Sequence, residues 1–388
     1  MESYIGSFIT SHINSIFIAI MNISIIIITY NRSKYVQILL SSLKKSRSNF
    51  KHQTEIIVVD DSNPDEAQRI SSACFCHNAR YVKSNSRSVN IKRNIGANLA
   101  LHPIILFLDS DCEAHPKILE AHLSAYKTGD IGACLGLLEF VGPNNWFWQV
   151  ITKTPFILAF EFPKHMETAP WGPSANFSVR ADVFKSIGGF DETFPPRPGG
   201  EDVDLGLRIT KAGYKIRCNP DALVSHTKDT WNRFKLMRKR LFTWGKAEYH
   251  LMDRHPNVLQ AALPRFTLIF IIITFISLLL SLAKKNLFLL TWPILWSVVN
   301  FLTYSILYYF RTDKTLKNMI QQMVALILIL INELGLLKEI LFQRRFDLMH
   351  KKMIYTPGQL VGEWYFGGFK IWSILSGMLF LLMTKVFI

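Results

Sequence analysis

The sequence predicts an α/β domain, a mainly parallel sheet flanked by helices, followed by a helical membrane domain. Three observations carry that expectation. Short apolar runs alternate with helical stretches from residue 22 onward, as in strands joined by crossover helices. Acidic pairs stand where those runs end or where a helix opens: Asp60 and Asp61, Asp109 and Asp111, Glu201 and Asp202. Beyond Pro264 come long apolar runs at 265–283, 287–310, 319–337 and 371–388, several near the roughly 20 residues that cross a bilayer as a helix.

Residues 1–21 are an N-terminal extension whose apolar stretch, 13–20, has no basic flank and runs straight into the first strand, so it is not read as an export signal. Initiation at Met21 and a short membrane-surface extension are both open. Residues 24–29 then read as a buried strand, 32–45 as a helix, 55–59 as a strand, 65–74 as a helix, 79–83 as a short strand and 89–101 as a helix. The continuous apolar run 104–108 suits a parallel strand covered on both faces, and Asp109-Ser-Asp111 follows at once. A helix with Pro116 in its first turn closes at Gly129.

After 132–140 the alternation breaks. The stretch 141–173 carries Trp146, Phe147, Trp148, Phe156, Phe160, Phe162 and Trp171, which fits core packing or a surface dipping among lipid headgroups. Glu201 and Asp202 follow Pro198-Gly-Gly200, a hinge, and open a helix to Lys211; residues 222–225 read as a strand ending at His226. These limits give an α/β domain at 22–230, an amphipathic interfacial linker at 231–263 and a membrane domain at 264–388. In the last of these, Asn332 and Glu333 make full insertion of 319–337 costly, so three spans plus one re-entrant or interfacial segment are expected, with four full spans as the alternative.

A chain of 388 residues with net charge +15 invites nucleic acid as a partner, but the basic residues crowd beside the apolar runs. Arg233, Lys235, Arg238, Lys239 and Arg240 precede the first run, and Arg311, Lys314, Lys317, Lys338, Arg344, Arg345, Lys351 and Lys352 flank later ones. That placement suits anionic lipids, puts the α/β domain on the cytoplasmic side of the cell's inner membrane, and argues against nucleic acid. Cys74, Cys76, Cys112, Cys134 and Cys218 are odd in number and lack zinc spacing, so reduced thiols are expected.

Two carboxylates one residue apart at a strand end read either as a solvated turn or as ligands for a hard divalent cation, Mn2+ or Mg2+, holding a diphosphate. The other acidic pairs tip the reading toward a site. Eight segments in order then carry a resemblance: Ile28-Thr-Tyr-Asn-Arg32, Val58-Val-Asp-Asp-Ser62, Arg93-Asn-Ile-Gly-Ala97, Leu106-Phe-Leu-Asp-Ser-Asp111, Asn176-Phe-Ser-Val-Arg180, Gly188-Gly-Phe-Asp-Glu192, Gly200-Glu-Asp-Val-Asp204 and His226. Over residues 22 to about 245 the chain resembles the family 2 glycosyltransferases, inverting enzymes with a nucleotide-sugar-binding GT-A fold.

The resemblance implies that Thr29, Tyr30 and Arg32 line the nucleotide pocket with Asp60, and that Asp109 and Ser110 meet the donor. Tyr30 would stack on the base and Asp60 would accept a uracil imide proton, which favours a uridine donor. Arg93 would meet the donor's phosphates, or form an ordinary ion pair. Asp111 is implied as a metal ligand, with Asp109 on the metal or ribose and His226 as a third ligand. Asp202 is implied as the catalytic base, with Glu201 beside it in the catalytic and acceptor region. The stretch holding Trp171 and Asn176 is expected to border the acceptor.

The nearest match to the motif of processive members, Arg240-Leu-Phe-Thr-Trp244, lacks its second Arg, which favours transfer of a single sugar. The expected function is a membrane-anchored glycosyltransferase moving one sugar from a nucleotide-sugar donor to a lipid-linked or cell-envelope glycan acceptor. The alternatives are a nucleotide-sugar-binding part of a glycan carrier or flippase without transferase activity, and a nucleotidyltransferase. The last lacks its Gly-rich loop after the first strand, and the carrier lacks paired repeat halves.

Overall fold

The computed structural model describes residues 22–194, 199–262, 265–311, 315–354 and 372–379. The chain divides into two compact units, one of residues 1–143 and 158–229, the other of 144–157 and 230–388. The second unit therefore includes a segment taken from the middle of the α/β stretch.

The first unit opens with β1 (Ile23–Thr29), α1 (Ser33–Ser48), β2 (Thr54–Asp60), α2 (Pro64–Cys76), β3 (Arg80–Lys83), α3 (Val89–Asn98) and β4 (Ile104–Asp109). Every residue of β1 is buried, as is every residue of β4 before Asp109, which is why both read as unbroken apolar runs. Asn63 caps α2 by accepting the Glu66 N–H, and Ser88 caps α3. Next come β5 (Cys112–Ala114), which the sequence did not suggest, and α4 (Ile118–Ser124), shorter than expected, then β6 (Ile131–Val141). In chain order α5 (Trp146–Ile151) follows and belongs to the second unit, before α6 (Phe162–His165), β7 (Thr168–Ala169), β8 (Asn176–Arg180), α7 (Ala181–Ser186), α8 (Glu201–Lys211) and β9 (Lys215–Thr227).

These strands make one 9-stranded sheet in the order β3-β2-β1-β4-β8-β6-β9-β5, with β7 beside β9. The pairs β2 with β3, β1 with β2, β1 with β4 and β6 with β9 are parallel, and β8 runs antiparallel to β4 and β6. The expected α/β sheet flanked by helices is therefore present. Its core is built from β1, β2 and β4 under the inner faces of α1 and α2, with Ile25, Ile27, Leu39, Leu43, Val58, Ile70 and Leu106 fully or almost fully buried. Gly96 lets α3 lie against β1, since a Cβ there would overlap the buried Ile26 side chain.

The second unit contains α5, α9 (Phe234–Arg254), a two-stranded antiparallel sheet of β10 (Leu259–Ala261) and β11 (Lys351–Met353), α10 (Phe266–Lys284), α11 (Trp292–Arg311), α12 (Leu316–Phe342) and a helical stretch at 372–379. Among the described residues, two helices are long and apolar enough to cross a membrane, Phe266–Lys284 with 19 residues and Leu287–Ile306 with 20. The polar residues of α12 have partners inside the unit: Asn332 Nδ2 donates to the Leu241 carbonyl at 3.1 Å, and Glu333 accepts from the N–H and hydroxyl of Thr267 at 3.4 and 3.2 Å, capping the first turn of α10. α9 and α12 meet backbone to backbone, because a Cβ on Gly245 would collide with the Asn332 carbonyl and one on Gly335 with the Phe242 carbonyl.

The aromatic-rich stretch is shared out. Phe147 meets Phe234 edge-on and Phe156 meets Trp244 within the second unit, whereas Phe160 packs on Phe140 and Phe162 on Trp171 within the first. The five cysteines are free thiols. The extension 1–21, Pro198, Pro264, Lys314 and most of the run 371–388 lie outside the described residues.

Candidate active site

Parallel register brings distant residues to one edge. Thr29 pairs with Asp60 across β1 and β2, Ile28 pairs with Asp109 across β1 and β4, and Asp60 pairs with Lys83. The carboxyl ends of β1, β2 and β4 thus end level, where open α/β sheets hold ligands. β5 then turns back to pair antiparallel with β9, setting Cys112 opposite His226 and so bringing that imidazole to the end of β4.

Ligand atoms of Asp109, Asp111 and His226 lie within 4.8 Å of one another. His226 Nδ1 donates to the Thr227 carbonyl at 2.8 Å, which turns Nε2 toward Asp111 Oδ1 at 3.3 Å. Two carboxylates and an imidazole whose far nitrogen is fixed by a carbonyl are a fitting donor set for Mn2+. Arg32 NH1 lies 2.9 Å from Asp111 Oδ2. Burial works to raise the Asp111 carboxyl, but His226 and Arg32 outweigh it and hold the group well below the usual carboxylate range.

Around this cluster the structure redistributes several roles. Asp60 is fully buried; its Oδ1 accepts from the Ser62 N–H at 3.0 Å and hydroxyl at 2.5 Å, and its Oδ2 accepts from the Tyr81 hydroxyl at 3.0 Å. It therefore presents no open carboxylate to a uracil imide, and Asp60 gives no preference for uridine. Tyr30 is 41% exposed, with the Arg87 guanidinium 4.8 Å above its ring. Thr29 is buried, and its Oγ1 has no hydrogen-bond partner among the described residues. Ser110 is buried too.

Arg93 does not face phosphates. It is 5% exposed, with NH1 3.0 Å from Glu201 Oε1, NH2 3.4 Å from Asp109 Oδ1, and its guanidinium 5.2 Å from the centre of the Phe190 ring. Glu201 is equally enclosed, its Oε2 accepting the Gly199 N–H at 2.6 Å, so it is not offered to an acceptor. Gly199 and Gly200 have φ of 151° and 86°, which suit glycine and let the chain turn sharply into α8. Asp202, next in α8, is half-buried and accepts the Val203 N–H at 3.0 Å. Burial first and the Glu201 charge second push its carboxyl up to about 7, against the pull of Arg93.

Asn176 is a further correction: it is 1% exposed and its amide is fully used inside the sheet. Nδ2 donates to the carbonyls of Leu137 at 2.9 Å and Ala222 at 2.7 Å, and Oδ1 lies 2.9 Å from His122 Nε2. Trp171 is half-buried, edge-on to Phe162, with its backbone where only Gly206 of α8 leaves room.

Lys92 was missed. It is 3% exposed, donates to the Thr29 carbonyl at 3.0 Å and forms a buried ion pair with Asp61, tying the ends of β1 and β2 together. A signal existed: residues 89, 92, 93 and 96 fall on one face of a helix, so Lys92 shares the inward face of Arg93 and Gly96.

Residues 24–188 match the family model described as glycosyl transferase family 2. A pre-mycofactocin glycosyltransferase of Mycobacterium tuberculosis is 28% identical over 244 residues, covering 61% of this chain and 48% of the relative. A validoxylamine A glucosyltransferase of Streptomyces hygroscopicus is 28% identical over 222 residues, covering 49% of this chain and 52% of the relative. The chain spans about half the length of these curated relatives. Among solved structures, a mannosyltransferase from Pyrobaculum calidifontis in complex with GDP-Man and Mn2+ aligns with a TM-score of 0.45 and 16% identity over 61% of this chain and 65% of that one.

Proposed function

From the premise that residues 24–188 lie in a family 2 glycosyltransferase domain, we propose that the chain transfers one sugar, with inversion, from a nucleoside-diphosphate sugar to a lipid-linked or envelope glycan acceptor at a membrane. The observation that carries this reading is the convergence at one sheet edge: the Asp109, Asp111 and His226 cluster is joined through the buried guanidinium of Arg93 to the turn that presents Asp202.

Asp202 is the base. Held up near 7, its carboxyl changes charge in the range where a proton is most easily taken and returned. It receives the acceptor hydroxyl's proton as that oxygen bonds to the anomeric carbon. The carbon's bond to the diphosphate oxygen breaks on the opposite face, and the electron pair leaves with the nucleoside diphosphate. Asp109, Asp111 and His226 would hold Mn2+ or Mg2+, which supplies Lewis-acid neutralisation of the departing diphosphate. Tyr30 offers a stacking face for the base and Arg32 a charge beside the phosphates. Trp171, whose backbone lies against the helix that carries Asp202, offers its ring as the acceptor platform. The helices Phe266–Lys284 and Leu287–Ile306 anchor the chain in the bilayer, and the basic residues around them keep the catalytic unit on the cytoplasmic side.

The test is release of nucleoside diphosphate from uridine and guanosine diphosphate sugars by the purified chain, with and without Mn2+, supplied with lipid-phosphate acceptors. Turnover that needs Mn2+ and falls about 10²–10⁴-fold in Asp202→Asn is expected. Wild-type turnover in that variant removes Asp202 from the role, and donor binding without release under every acceptor removes the transferase reading.

A further inference from the structure

We propose that Arg93 and Glu201 are positioning residues, a buried ion pair that holds in place the turn bearing Asp202 while touching neither donor nor acceptor. The proposal rests on the reading of Asp202 as the base.

Geometry leaves the pair no outward face. Arg93 meets Glu201 through NH1 at 3.0 Å, Asp109 through NH2 at 3.4 Å and the Phe190 ring at 5.2 Å. The other oxygen of Glu201 accepts the Gly199 N–H at 2.6 Å, pinning the left-handed turn from which α8 starts. The same edge of α3 grips the chain leading into that turn. Asn90 Nδ2 donates to the Asp191 carbonyl at 2.7 Å, Asn94 Nδ2 to the Phe190 carbonyl at 2.8 Å and to Glu192 Oε1 at 2.9 Å, and the Phe190 N–H donates to Asn94 Oδ1 at 2.9 Å. One helix thus holds residues 190–192 and Glu201, the residue next to the base.

The charges make the arrangement more than a clamp. Burial acts first to raise the proton affinity of Asp202; the groups that add to it are Glu201 on its own helix, which raises it, Arg93 from α3, which lowers it, and the N–H groups of Val203 and Asp202 itself, which also lower it. Neutralising Glu201 removes a repulsion and frees the Arg93 charge, so Asp202 ionises at lower pH. Removing the Arg93 charge does the reverse. Opposite displacements from two halves of one ion pair are a signature that loss of packing alone does not produce.

The experiment is the pH dependence of kcat/KM for nucleoside diphosphate release at saturating Mn2+, for the full chain and for Glu201→Gln, Arg93→Met and Arg93→Lys. The acidic limb is expected to move to lower pH in Glu201→Gln and to higher pH in Arg93→Met, with relative rate at pH 6 rising about fivefold for a one-unit move down and falling about tenfold for a one-unit move up. Arg93→Lys restores the wild-type limb, and donor affinity measured by calorimetry is unchanged in Glu201→Gln and Arg93→Lys. Limbs that stay still, or move together, overturn the proposal; so does a donor affinity that falls in Arg93→Lys, the mark of a phosphate contact. If Arg93→Met fails to fold, the Glu201→Gln limb decides alone. Asp202→Asn separates the two claims: full turnover there defeats the base assignment whatever the limbs do, and lost turnover with unmoved limbs defeats only the positioning role.

Discussion

Asn176→Ala tests whether that residue holds the sheet together or greets an acceptor. Where β9 bulges, the pairing with β6 skips from Asn219 opposite Gly136 to Leu223 opposite Leu137. The bulge turns the Leu137 and Ala222 carbonyls toward each other, and the Asn176 amide nitrogen bonds both. Gly136 is the space that admits it, since a Cβ there would overlap the Asn176 side chain and the Ala222 carbonyl. On the other side a single donor chain fits the distances. The Tyr126 hydroxyl donates to Ser178 Oγ at 2.7 Å, Ser178 to His122 Nδ1 at 2.9 Å, and His122 Nε2–H to Asn176 Oδ1 at 2.9 Å.

Alanine at 176 leaves two carbonyls and one imidazole N–H short of a partner. Each such buried group costs about 1–3 kcal/mol, so even the low end, about 3 kcal/mol, is a large share of the roughly 5–15 kcal/mol that stabilises a typical domain. The assay is thermal unfolding of the detergent-purified chain followed by near-ultraviolet circular dichroism. A large drop in Tm is expected. An unchanged Tm accompanied by a raised KM for acceptor would refute the reasoning and return Asn176 to the binding surface.

Burial pushes His122 down to about 4, below its unfolded value near 6.5, so the unfolded chain binds the extra proton and stability is lost as pH falls from about 6.5 toward 4. Asp202 titrates in the same window with the opposite sign, so urea midpoints are read in Asp202→Asn; a flat profile from pH 7 to 4.5 would contradict a neutral, enclosed imidazole. Gly335→Ala should lower Tm, because overpacking against the Phe242 carbonyl costs about 1–3 kcal/mol and outweighs the gain of at most about 1 kcal/mol in helix propensity; a higher Tm would mean that α9 and α12 do not touch there. Asp111→Asn should weaken Mn2+ binding by more than about tenfold in titration calorimetry, and unaltered affinity would move the ion elsewhere.

Much of the sheet edge was legible because a buried parallel strand spells itself as an apolar run and its end as the first polar residue. Asp60 and Asp109 show in that way, Thr29 is implied by the resemblance, and the register brings the three to one edge. What the sequence hid is which carboxylates open outward. Asp60 is claimed by Tyr81, 21 residues on, and Glu201 by Arg93, 108 residues back, pairings that only tertiary contact creates. His226 was placed by resemblance, while β5, the short strand that delivers it, has too few residues to show a period. The excursion of 144–157 into the second unit carries no local mark, since Trp148 suits a core whichever unit supplies it.

That excursion bears on how the molecule is made. The Gln321 carboxamide that donates to Gln149 Oε1 at 2.8 Å sits on α12, which also packs against α5, so the ribosome delivers Trp146–Ile151 long before the surface that shelters it. Through that interval α5 stands in the nascent chain without its partner helix, an apolar segment of the kind that raises the risk of misassembly before folding is complete. Ending translation after residue 229 would leave α5 without that partner for good, so a fragment confined to the first unit has to omit 144–157 as well as everything after 229.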